Sequence, residues 1–142
     1  MTDIEKAKQL LGQGDCTVAI CRGELVYKRT ERGVAPVLSL IEQGADLCGA
    51  SAADKVIGKA AAMLLVMAGV TEIYGAVMSR MAAEFLASRG VRYSFGELTE
   101  RIRNRSGDGF CPMELAVMDI DDPAMALTAI KNRLDELRKD GR

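Results

Sequence analysis

Four side chains could take part in catalysis at or near a helix N-terminus: Asp54, Ser79, Cys111 and Glu114. Asp54 and Glu114 could transfer protons as general acids or bases, and Ser79 could direct its hydroxyl into the same cleft. Pro112 fits the first position of a helix, which places the Cys111 thiol where the helix dipole favours the thiolate. The chain has no histidine, so a cysteine–histidine dyad is excluded.

Five further residues could bind a ligand beside these groups. Lys55 and Lys59 are four residues apart and would share one face of a helix, while Gly58 would let a ligand approach closely. Basic side chains such as Arg105 bind anions through charge-assisted hydrogen bonds. We expect Lys55, Lys59 and Arg105 to bind the anion. Asn104 would orient the ligand.

Each candidate also has a structural interpretation. Ser51 and Asp54 match a capping box, Ser79 could act only as an N-cap, and lysines usually cover a solvated face. Glu114 could be an N3 residue that reaches back to the backbone. Free cysteines are often buried packing residues, which would account for Cys111.

The order of elements predicts an α/β protein, a single domain over residues 1–142 with a mixed sheet. An N-terminal β-hairpin supplies the antiparallel part, and a following β-α-β-α-β pattern supplies adjacent parallel strands with right-handed crossovers. The predicted helices are the first ten or so residues, a segment beginning at Pro36, and segments 53–68, 80–89, 98–104, 112 onward and 123 onward. The predicted strands are 17–21, 25–27, 45–49, 72–78 and 91–95.

Ligands of parallel α/β sheets bind at the carboxyl ends of the strands, where the following helices present their N-termini. The sequence predicts two such strand ends, at residues 48–55 and at residues 78–80. We expect both ends and the segment around Cys111 to line one pocket.

The composition excludes several classes of partner. The net charge is −1, aromatic residues make up 4% and tryptophan is absent, which disfavours a nucleic acid polymer. The longest uncharged run, residues 60–71, is too short to cross a membrane, and a cytoplasmic location is the default. An apolar stripe on the last helix predicts a homo-oligomer, although it could instead cover the sheet; it comprises Leu127, Ile130, Leu134 and Leu137.

Four strings of residues carry a resemblance to a known family. They are Asp54-Lys55-Val56-Ile57-Gly58-Lys59-Ala60, Met78-Ser79, Asn104-Arg105 and Cys111-Pro112-Met113-Glu114. From about residue 17 to residue 139, the chain resembles a small bacterial family of unknown function placed by fold in the cytidine-deaminase-like superfamily. The resemblance implies a three-layer, cytidine-deaminase-like arrangement of the sheet and helices.

The zinc ligands of the deaminases have no counterpart in this chain. Zinc deaminases begin one helix with His or Cys and a Glu two residues later, and begin the next with Pro-Cys-x-x-Cys. These places correspond roughly to Asp54-Lys55 and to Ser79, where no such ligands stand. Catalytic zinc needs three protein ligands, so we expect no metal, no cofactor and no zinc-dependent deamination.

The leading hypothesis is a pocket that binds a nucleotide or a related small anionic molecule. The sequence leaves open whether the protein also catalyses a reaction of that molecule. One alternative is a non-catalytic interaction or scaffold protein. Another is a thiol-based enzyme or redox sensor that uses Cys111.

Overall fold

The computed structural model describes residues 1–103 and 111–139. Its strands are β1 (Val18–Arg22), β2 (Leu25–Arg29), β3 (Ser51–Ile57), β4 (Glu72–Ser79) and β5 (Arg92–Thr99). Its helices are α1 (Asp3–Gly12), α2 (Ala35–Glu42), α3 (Lys59–Met67), α4 (Arg80–Ser88), α5 (Pro112–Val117) and α6 (Pro123–Lys139). The strands form a mixed sheet in the order β2-β1-β3-β4-β5, in which β3, β4 and β5 are parallel.

The N-terminal part of the chain follows its local signals. Thr2 caps α1 with a capping box, in which Thr2 Oγ1 accepts from the Glu5 N–H and the Glu5 carboxylate accepts from the Thr2 N–H. Gly23 has a φ of 59°, which suits the tight turn between β1 and β2. The predicted first helix and β-hairpin are therefore confirmed.

The predicted helix over residues 53–68 is wrong in its first part. Residues 51–57 form β3, which pairs antiparallel with β1 and parallel with β4, and α3 begins only at Lys59. Hydrogen bonds to strands on both sides outweigh the helix propensity of the alanines in this segment. Asp54 and Lys55 therefore lie on a strand, so neither the capping box of Ser51 and Asp54 nor a helix face shared by Lys55 and Lys59 exists.

Two shorter predictions are also wrong. Residues 45–49 form a turn rather than a strand, because Asp46 Oδ1 accepts from the Cys48 N–H and Gly49 adopts a φ of 81°. Leu98 and Thr99 do not begin a helix but extend β5, where Thr99 pairs with Ser79 at the end of β4. The remaining predicted strands and helices are present, with small shifts in their bounds.

The sheet separates two apolar clusters. Val18 and Ile20 of β1 point into the main core beneath α2, α3, α4, α5 and α6, whereas Ala19 and Cys21 point into a smaller cluster beneath α1. Because alternate residues of a strand face opposite sides, α1 covers one face and the other helices build on the opposite face.

The central strands are irregular near their carboxyl ends. Ala52 and Ile57 of β3 both lie in the main core although they are an odd number of positions apart, and so do Ile73 and Met78 of β4. At Gly75 a Cβ would stand 3.0 Å from both the Ile57 side chain and the Val77 carbonyl oxygen. Glycine thus permits the irregularity that keeps the strand ends facing the core.

The apolar stripe of α6 packs within its own chain. Ile130 is fully buried, and Leu127, Leu134 and Leu137 are half-buried against the main core. The stripe covers this core, so it no longer argues for a homo-oligomer. None of the helices described by the structure is long and apolar enough to cross a membrane.

Candidate functional site

The N-terminus of α3 is occupied by a carboxylate from the same chain. Glu114 Oε1 accepts from the Lys59 N–H at 2.7 Å, and Glu114 Oε2 accepts from the Ala60 N–H at 2.9 Å. These N–H groups have no partner within the helix, and the dipole at a helix N-terminus favours negative charge. Glu114 therefore does not reach back to its own helix, as its N3 position suggested, but caps a helix distant in sequence.

Gly58 leaves the space that this carboxylate fills. A Cβ at position 58 would lie 2.5 Å from Glu114 Cδ, closer than any real contact. The close approach predicted at Gly58 therefore occurs, but the group that approaches is a side chain of the same protein. Burial raises the pKa of Glu114, and the hydrogen bonds from Ala60 and Lys59 oppose that rise.

The ammonium of Lys59 lies on the other side of the same helix start. Its Nζ donates to the Met118 carbonyl oxygen at 3.1 Å and lies 3.5 Å from Asp121 Oδ1. The Lys59 side chain is only 7% exposed, whereas that of Asp121 is 92% exposed. A desolvated cation is thus paired with a carboxylate that is largely in water.

Lys59 forms part of a groove of about 430 Å³ between α4 and the segment that joins α5 to α6. Arg89 donates to the Asp121 carbonyl oxygen at 2.7 Å, and its guanidinium lies 5.4 Å from the centre of the Phe85 ring. The groove therefore combines basic groups, an aromatic ring and two carboxylates. Its lining consists of Lys59, Met81, Glu84, Phe85, Ser88, Arg89 and Asp121.

Ser79 is a buried cap at the end of β4. Its Oγ accepts from the Ala82 N–H at 3.1 Å, which satisfies one of the free donors at the start of α4. The N-cap interpretation of Ser79 is therefore confirmed. Ser79 as a whole is 1% exposed, so its hydroxyl is not accessible to solvent.

Asp54 is a buried carboxyl within β3. Its Oδ1 accepts from the Val56 N–H at 3.3 Å, and burial raises its pKa to about 7 despite that bond and one from the Lys55 backbone. The Lys55 side chain is exposed, and Lys55 N donates to the Thr17 carbonyl oxygen. Asp54 and Lys55 lie within the strand, before the helix start where Glu114 and Lys59 meet.

Cys111 is the N-cap of the short helix α5 and packs, half-buried, against the main core. The segment after it reaches the carboxyl end of β3 through Glu114, as the contact with α3 shows. Two further candidates, Asn104 and Arg105, lie outside the described residues.

The residues at the helix starts do not fit a zinc ion. The two strand ends present Lys59 and Ser79, a cation and a capping hydroxyl, and both oxygens of Glu114 are engaged by backbone N–H groups. Within residues 1–103 and 111–139, no group of three or more His, Cys, Asp or Glu side chains could hold a metal ion.

Most of the groove residues were not predicted from the sequence. Met81, Phe85, Ser88 and Arg89 recur at the spacing of one helix face, which is the signal that could have located it. Asp121 was not among the candidates predicted from the sequence.

Comparisons with known proteins agree on one family. A family model described as TM1506, a domain of unknown function (DUF1893), matches residues 6–134. The crystal structure of a DUF1893 family protein, TM1506 from Thermotoga maritima, is similar, with a TM-score of 0.84 and 24% sequence identity. The match covers 94% of this chain and 91% of that one, and at this identity it shows the fold alone. No curated protein matches this chain.

Proposed function

This chain belongs to the DUF1893 family, a domain of unknown function, and we propose that it binds a small anionic molecule such as a nucleotide. The binding site we propose is the groove between α4 and the segment joining α5 to α6, with Lys59 and Arg89 as the groups that bind the anion. The observation that carries the proposal is the buried ammonium of Lys59 in the groove lining.

The charges of the groove favour an anion although it contains as many carboxylates as basic groups. The field of a charge is screened strongly in water and weakly where water is excluded. Asp121 is 92% exposed and its Oδ1 lies 3.5 Å from Lys59 Nζ, so it neutralises the buried ammonium incompletely. A phosphate or carboxylate could replace Asp121 at this position.

The size and lining of the groove suit a small ligand. Pockets of about 300–1,000 Å³ are typical for small molecules, and this groove measures about 430 Å³. Met81 lines the groove with an apolar side chain, and Phe85, which is 5% exposed, lies beneath the Arg89 guanidinium. The helix N-terminus beside it is unsuited to the anion, because Glu114 already occupies it.

The proposal is tested by titrating the full chain with AMP, CMP, GMP and UMP and with the four matching nucleosides, using calorimetry. We expect at least one nucleotide to bind and its nucleoside to bind about tenfold more weakly, because only the nucleotide carries the anion. Arg89→Gln should weaken nucleotide binding, and Glu84→Gln should strengthen it. Arg133→Gln on α6 is the matched control, because Arg133 lies outside the groove lining and pairs with Glu136.

Two results would overturn the proposal. One is that no nucleotide binds at millimolar concentration. The other is that nucleosides bind as well as nucleotides, which would place the anion outside the binding site. Opposite effects of Arg89→Gln and Glu84→Gln, with the control unchanged, would support it.

The finer expectations from the sequence remain part of this proposal: a single domain with a cytidine-deaminase-like arrangement in the cytoplasm, without zinc-dependent deamination. The pKa of Asp54, about 7, would suit proton transfer near neutral pH, but Asp54 does not line the groove. The thiol alternative has weaker support, because packing against the main core accounts for Cys111.

A second candidate function is that of an interaction protein. Strand β5 favours it, because this long strand stands at one edge of the sheet and is exposed along almost its whole length.

A further inference from the structure

The two edges of the sheet differ in how well they are protected from pairing with another strand. At one edge, β2 has only five residues and ends in Lys28 and Arg29, and charged side chains discourage edge-to-edge pairing. At the other edge, β5 has eight residues without lysine or proline, and only Thr99 at its end is not exposed. Within the described residues, β5 pairs with β4 alone.

The exposed side chains of β5 include large apolar groups. Tyr93, Phe95 and Leu98 are 38%, 40% and 37% exposed. An exposed, partly apolar edge strand offers unpaired backbone groups and apolar surface together, which is the usual basis of strand addition. The occupant must therefore supply a strand.

The irregularity of the central strands places the charges of β5 on one face. Tyr93 and Leu98 pair with Ile73 and Met78 of β4, which both face the main core. Arg92 and Glu97, each one residue earlier, therefore both lie on the opposite face. Among the described residues, neither Arg92 nor Glu97 forms an ion pair.

We propose that β5 is the interface of a homodimer, in which two copies of the chain pair their β5 edges antiparallel about a twofold axis at Ser94. Tyr93 then lies opposite the partner's Phe95 on the same face, and the irregularity after Phe95 carries Glu97 to the position opposite the partner's Arg92. In this register Arg92 of each copy lies opposite the partner's Glu97, so the charges complement each other twice. Leu98 lies opposite the partner's Val91 on the other face. Registers shifted by one residue in either direction would set side chains of opposite faces against each other.

A second copy is the occupant that this charge pattern selects. An isologous interface requires a surface that complements itself. A strand with a basic residue near one end and an acidic residue near the other complements a second copy that runs antiparallel to it. The two five-stranded sheets would join into one continuous sheet, and both exposed edges would disappear.

Light scattering after gel filtration tests the interface. For the unmodified chain we expect a mass twice the 15.3 kDa of one chain. Glu97→Arg and Arg92→Glu should each raise the dimer dissociation constant about tenfold or more, because like charges then face each other. The double variant with both changes should recover most of the dimer. Glu24→Arg is the matched control, since Glu24 is exposed in the hairpin turn at the other edge.

Two outcomes would overturn the proposal. One is a monomer mass for the unmodified chain at about 100 µM, a concentration at which a weak dimer still forms. The other is a dimer whose mass the β5 variants leave unchanged, which would place the interface elsewhere. Circular dichroism of each variant establishes that it remains folded, and recovery in the double variant would exclude general damage to β5.

Discussion

Glu114 and Gly58 occupy complementary space: the carboxylate of Glu114 lies where a side chain at position 58 would have to stand. This relationship joins α5 to the start of α3 across a long stretch of sequence. Through it, the carboxylate accepts from two backbone N–H groups that an external anion would otherwise contact.

Gly58→Ala should destabilise the protein by about 1–3 kcal/mol, because the new Cβ overlaps Glu114 Cδ. The φ of Gly58 is −97°, which alanine adopts freely, so the cost comes from this contact alone. In a Glu114→Ala background the same change should therefore cost much less. Urea unfolding of the four proteins in this double-mutant cycle measures the coupling.

Gly12→Ala is the control for that cycle. A Cβ at Gly12 would meet nothing within 4 Å, and its φ is not positive. Additive effects of Gly58→Ala and Glu114→Ala would contradict the proposed overlap.

Asp54→Asn should change how stability depends on pH. The pKa of Asp54 is raised from 3.8 to about 7 in the folded protein, so the folded state holds this proton more tightly than the unfolded state. The free energy of unfolding therefore falls as the pH rises from 3.8 to about 7. Asparagine does not titrate, so this fall is absent from the Asp54→Asn variant. Between pH 5 and pH 8, the free energy of unfolding of the unmodified protein should fall by about 3 kcal/mol more than that of Asp54→Asn.

Denaturant unfolding at both pH values tests this. Other titrating groups are common to both proteins and cancel in the comparison. Equal falls in the two proteins would show that Asp54 titrates at its ordinary pKa.

Ser79→Ala should cost about 1 kcal/mol of stability, within the range of about 0.5–2 kcal/mol known for N-caps, because the Ala82 N–H then loses its acceptor. Ser88→Ala on the same helix is the control, since Ser88 is exposed and its hydroxyl only donates to the Phe85 carbonyl oxygen. Thermal unfolding compares the two variants. Equal midpoints would argue against a capping role for Ser79.

Asp121→Asn should strengthen nucleotide binding about threefold, because it removes the carboxylate that faces Lys59 Nζ. The Asp121 carbonyl oxygen, to which Arg89 donates, remains. Stability should fall, because Lys59, whose side chain is only 7% exposed, loses the carboxylate that faces it; the 92% exposure of Asp121 limits the loss. Asp119→Asn, an equal change of charge at an exposed residue outside the groove lining, is the control for calorimetric titration.

Weaker nucleotide binding to Asp121→Asn than to the unmodified chain would mean that Asp121 does not compete for Lys59.

The sequence by itself determined the features that depend on local chemistry. Ser79 was recognised as a possible cap because capping joins a side chain to backbone groups two or three residues away. The hairpin turn at Gly23 and the alternation of β4, α4 and β5 followed from turn residues and periodicity. Glu114 and Gly58 were recognised as candidates, but their contact with each other was not.

Only the tertiary structure decided the features that depend on neighbours distant in sequence. Residues 51–57 have the composition of a helix, yet β1 and β4 on either side make them a strand. That single change moved the helix start from the region of Asp54 to Lys59 and separated Lys55 from the site. Glu114, Lys59 and Asp121 meet only after α5 and α6 fold over α3, and burial by that packing raises the pKa of Glu114. Such contacts leave no periodicity in the sequence, because hydrogen bonds and desolvation act through space rather than along the chain.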